Sequence, residues 1–137
     1  MFAHMPATPR RTQQQFEQMP AHGWEAETSP TYKATLLALK RDRRAAEAEL
    51  SVLLSNLPHK KNHYHHATYD IACINALLGN SAEAVKWLRV TAVTGCPSYP
   101  MFERDHFLDP IGQSPEFIQF IAEMKTQNER LRQEFAL

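Results

Sequence analysis

Four histidines crowd one short stretch: His59, His63, His65 and His66. On a helix, His59, His63 and His66 fall at i, i+4 and i+7, one face, a spacing that can present imidazoles to a metal. The nearest carboxylate at helical spacing is Asp70, four residues after His66. The bland alternative is a solvated helix start after Pro58, and such clusters are more often surface features, so no metal or other cofactor is expected. Asp105 and Asp109 form a carboxylate pair suited in principle to acid/base work. Each precedes a turn or helix start, however, where aspartate caps free N–H groups. Cys73 lies among Ile71, Ala72 and Ile74, as a small apolar packer would, and Cys96 has no assignable histidine partner. No nucleophile elbow, metalloprotease motif or phosphate loop is present, so no catalytic residue is assigned and an enzyme is not expected.

The elements that must carry these residues are bounded by composition. The chain has 137 residues, with 15 Lys/Arg against 15 Asp/Glu. That length fits one domain with a real core. The neutral balance removes the usual electrostatic reason for a nucleic-acid or anionic-membrane partner. The neutrality is a sum of opposed parts: residues 1–61 carry nine basic and six acidic side chains, residues 62–137 the reverse. Four scattered glycines cannot build a phosphate-cradling loop, and two cysteines are too few for a disulfide scaffold, which points to the cytoplasm. No run of apolar residues reaches the ~20 needed to span a bilayer.

Residues 1–29 hold Pro6, Pro9 and Pro20 with little apolar periodicity, and read as an extension or loosely docked arm. Residues 12–19 could make a short helix, and Trp24 asks for a surface to cover. A helical domain spans 30–137. Ser29-Pro30 is a helix start signal. Leu36, Leu39, Ala46, Leu50, Leu53, Leu54 and Leu57 then follow at spacings of three and four. The polar run 40–44 interrupts this stripe and reads as a solvated face; one long helix with a wet middle turn and two joined helices both fit. A second helix is expected over 62–78, closed by Gly79-Asn80. Ser81 is expected to cap a third, ending at Gly95. Ser114-Pro115-Glu116 starts a last helix, with Phe117, Phe120, Ile121, Met124, Leu131 and Phe135 along one face. Nothing alternates with a period of two, so the expected class is all-α.

Residues 67–97 resemble a tetratricopeptide repeat. Ala72 and Ala84 match the small positions where two antiparallel helices touch, Leu88 the large apolar position, and Gly79-Asn80 the turn. Thr91 and Asn75 depart from the usual alanine and aromatic. The string from Phe102-Glu103-Arg104-Asp105 through Leu108-Asp109-Pro110-Ile111 to Pro115-Glu116-Phe117 is similar to the terminal unit of bacterial tetratricopeptide arrays, where a capping helix follows. Ala48, 36 residues before Ala84, suggests an eroded preceding repeat. The resemblance implies an α-α superhelix of antiparallel hairpins and a non-enzymatic adaptor binding a protein or peptide. Its groove-facing positions would be His66, Tyr69, Asp70, Cys73 and Ala76, suited to basic or aromatic segments. With one or two repeats, homo-oligomerisation through the oppositely charged halves is the alternative.

Overall fold

The computed structural model describes residues 30–57, 64–95 and 97–135. The expectations for 1–29, Pro58, His59, His63 and Cys96 lie outside them. Among these residues six α-helices follow in order: α1 (Pro30–Leu39), α2 (Arg43–Ser55), α3 (Tyr64–Leu77), α4 (Ser81–Thr94), α5 (Tyr99–Arg104) and α6 (Pro115–Glu134), with a 3-10 turn His106–Ile111 before α6. There is no strand among the described residues, and the fold is all-α.

Two helices, not one, fill 30–55. The N–H groups of Arg41 and Asp42 bond back to the carbonyls of Ala38 and Leu37, at 3.0 and 2.9 Å. This pattern closes a helix end and requires a left-handed residue, here Arg41 at φ 62°. Asp42 then caps α2, its carboxylate accepting from the Ala45 N–H at 3.2 Å. The α3–α4 turn repeats the construction. Gly79 N–H bonds to Ala76 and Asn80 N–H to Asn75, at 2.9 and 2.8 Å, with Gly79 at φ 78°. Arg41 and Gly79, Asp42 and Asn80, and the core alanines Ala46 and Ala84 are each 38 residues apart. The offset is therefore 38, not 36: Ala46 is the counterpart of Ala84, and Ala48 is exposed. Ala34 with Ala72, Ala38 with Ala76 and Leu50 with Leu88 obey the same shift, and all are buried.

Three local expectations are corrected. Ser81 is the first residue of α4 and Asn80 holds the capping position, without a side-chain capping bond. Asn80 instead donates to the Asn75 side chain at 3.4 Å. Arg43 is not simply solvated: it pairs with Glu47 at 2.9 Å and donates to the Leu78 carbonyl, pinning α2 to the end of α3. On α6, Phe117, Phe120, Ile121 and Met124 are buried, but Leu131 and Phe135 stay 43% and 65% exposed, because the packing against α4 and α5 does not extend over them.

α3 is the central element, with every residue from 71 to 76 buried. Ala72, Cys73 and Ala76 face Leu88, Phe102, Leu108, Ile111 and the first half of α6. Ile71, Ile74 and Leu78 face Ala34, Ala38, Ala46 and Leu50 of the first hairpin. The alanines let α1 and α3 approach closely. Thr91, in the place of an alanine, is fully buried and satisfied: its hydroxyl meets that of Thr68 at 2.8 Å across the α3–α4 interface. Asn75 likewise bonds the Ile71 carbonyl at 2.9 Å. Each buried hydroxyl or amide thus avoids the roughly 1–3 kcal/mol cost of burial without a partner.

Candidate functional site

The first half of α3 presents His66, Tyr69 and Asp70 toward one edge of the domain. His66 is exposed, its ring 4.2 Å from that of His65. Tyr69 and Asp70 are half-buried. Cys73 and Ala76 share this side of α3 but are closed into the core, at 6% and 0% exposure, so solvent reaches only the upper three of the five positions.

Tyr69 is fixed twice. Its ring lies 5.8 Å from that of Phe102 at an interplanar angle of 27°, and its hydroxyl donates to Asp105. Asp105 in turn accepts the Phe107 N–H at 2.9 Å, capping the 3-10 turn as its position before that turn predicts. The other carboxylate of the pair, Asp109, meets His106 at 3.0 Å on the surface. Both aspartates are therefore engaged locally, one of them also across the fold.

Asp105 is the residue that sequence reasoning misses as a member of this face. It lies 36 positions from Tyr69, and only the packing of the 3-10 turn on α3 brings them together. A local motif carries no signal of that distance.

Burial sets the electrostatics of this edge, and the Asp105 charge adds to it. Burial, and then the nearby Asp105 charge, raise Asp70 from the ordinary carboxylate range to about 6. The Asp70 carboxylate has no hydrogen bond or ion pair among the described residues. Burial pushes the Cys73 thiol well up, Asp105 and Asp70 push it further, and the Tyr69 hydrogen bond only partly offsets them. A thiol held protonated in this way is a poor nucleophile. Burial, the neighbouring thiol and Asp105 also raise Tyr69. The net shift of each of these three groups disfavours negative charge, so the edge gains from a cation placed beside Asp70 and Asp105.

Among the described residues no group of three or more His, Cys, Asp or Glu is placed to hold a metal ion. Of the metal candidates only His66 is described. No described helix is long and apolar enough to cross a membrane.

These features define an all-α protein built on two hairpins of one design, closed by a third helical layer. No protein-family model, curated protein or solved structure matches the chain.

Proposed function

We propose that the protein is a non-enzymatic helical-repeat module of the tetratricopeptide type, an adaptor of the cytoplasm that binds a protein or peptide partner through the exposed side of α3. The observation that carries this reading is the pair of hairpins with the same turn hydrogen bonds and buried alanines at a constant 38-residue shift. Stacked hairpins hold α3 rigid and leave His66, Tyr69 and Asp70 of its first half open, so a partner can bind there without ordering cost to the host. Tyr69 supplies a rigid aromatic area and Asp70 the charge preference, favouring a segment with lysine or arginine next to an aromatic.

Panning the protein against a random peptide library, with Asp70→Asn as the comparison, tests the reading. Peptides rich in basic and aromatic residues should emerge, and their affinity should fall about tenfold in the variant. Ligands indifferent to Asp70, or no ligand at all, would overturn the site.

Self-association is the second reading, favoured by Leu131 and Phe135, which prolong the buried face of α6 into solvent. Light scattering of wild type and Leu131→Asp across protein and salt concentration separates the two, since a monomer under all conditions excludes it.

A further inference from the structure

A second opening lies at the opposite end of α3, between the two hairpin turns. It is a cavity of about 310 Å³ walled by Leu39, Leu77, Leu78 and Pro110. Arg41 and Arg43 also line it. Their roles differ. Arg43 is consumed by Glu47 and by the Leu78 carbonyl, and it thereby covers the negative end of α3 that would otherwise repel an anion. Arg41 makes no side-chain hydrogen bond or ion pair among the described residues, and neither do the exposed Lys40 and Arg44 beside it in the chain. The cavity is thus apolar inside, with the guanidinium of Arg41 on its wall left for an anion.

The backbone supplies the independent observation. Arg41 holds the left-handed φ of 62° that the sister turn gives to Gly79. A side chain in that region is strained where glycine is not. The construction of the turn needs no side chain at this position, as Gly79 demonstrates, so the arginine stands where a glycine would strain the backbone less.

We infer that this cavity is a docking site for an acidic peptide segment of a partner protein, which seats a leucine or phenylalanine side chain against Leu39, Leu77 and Leu78 and gives a neighbouring carboxylate to Arg41. The apolar walls favour a peptide over a nucleic acid, whose phosphates would use the cations and leave the walls unfilled. The site is separate from the α3 edge and does not depend on its occupant.

Fluorescence anisotropy with a labelled ten-residue peptide of alternating glutamate and leucine tests the inference on the full chain. Saturable binding is expected, weakened about tenfold by Arg41→Gly and also by raised salt. The same substitution should raise the melting temperature, because it relieves the backbone, so loss of binding cannot be put down to misfolding. Unchanged affinity in Arg41→Gly would overturn the inference. So would no binding up to about 1 mM peptide, or equal binding of a lysine-leucine peptide or of a single-stranded oligonucleotide.

Discussion

The two hairpins solve one problem with different residues. Each closes its first helix through a left-handed residue and starts its second helix over a buried alanine, yet one turn reads Lys40-Arg41-Asp42 and the other Leu78-Gly79-Asn80. The second hairpin is also deeper. Leu88 is fully enclosed, whereas its counterpart Leu50 keeps 8% of its surface. What is preserved is the backbone geometry and the small residues at the contact; what varies is how much each hairpin invests in the core.

That contrast can be broken most strongly at the leucines. Leu88→Ala should cost about 3–4 kcal/mol in urea unfolding and Leu50→Ala about 2 kcal/mol, since the enclosed site cannot collapse around its cavity. Equal losses would mean that the outer hairpin is as central as the inner one.

Asp70 stands where the first hairpin has Tyr32, and the next test is of that difference. A carboxyl whose value is raised on folding binds more protons folded than unfolded. Stability should therefore fall as pH rises from about 4 to about 6, by about 1–2 kcal/mol, and Asp70→Asn should flatten the slope. Chemical denaturation at three pH values in that window reads the effect directly.

The turns give smaller, opposite changes. Gly79→Ala should destabilise by about 1 kcal/mol from φ alone, because an added Cβ meets nothing within 4 Å. Arg41→Gly should stabilise by about 0.5–1 kcal/mol, with the greater chain entropy of glycine offsetting part of the relief. Melting curves of the pair are enough to show whether the signs differ.

The contrast also explains what the sequence could disclose. Helix starts at Pro30 and Ser114-Pro115 and the end at Gly79 are written in single residues with local consequences, and they appear where expected. The break at 40–42 was ambiguous because arginine is a helix former, and its left-handed role is imposed by the packing of α2 back on α1. The 38-residue shift is hidden as well: Ala48 lies nearer the usual repeat period, and only burial singles out Ala46 instead. At the α3 edge, Tyr69 and Asp70 could be named from helical spacing, while the Asp105 contact depended on a turn far along the chain. Periodicity equally cannot say what covers a stripe, and so Leu131 and Phe135 looked like core.

Trp87 gives the domain an internal lamp. It packs against both apolar clusters, half-buried on α4, with the Lys86 ammonium 5.6 Å from its ring. Detachment of either hairpin would strip one wall from the indole. Its emission maximum, read in a Trp24→Phe background, would therefore distinguish a domain that opens in two stages from one that comes apart at once.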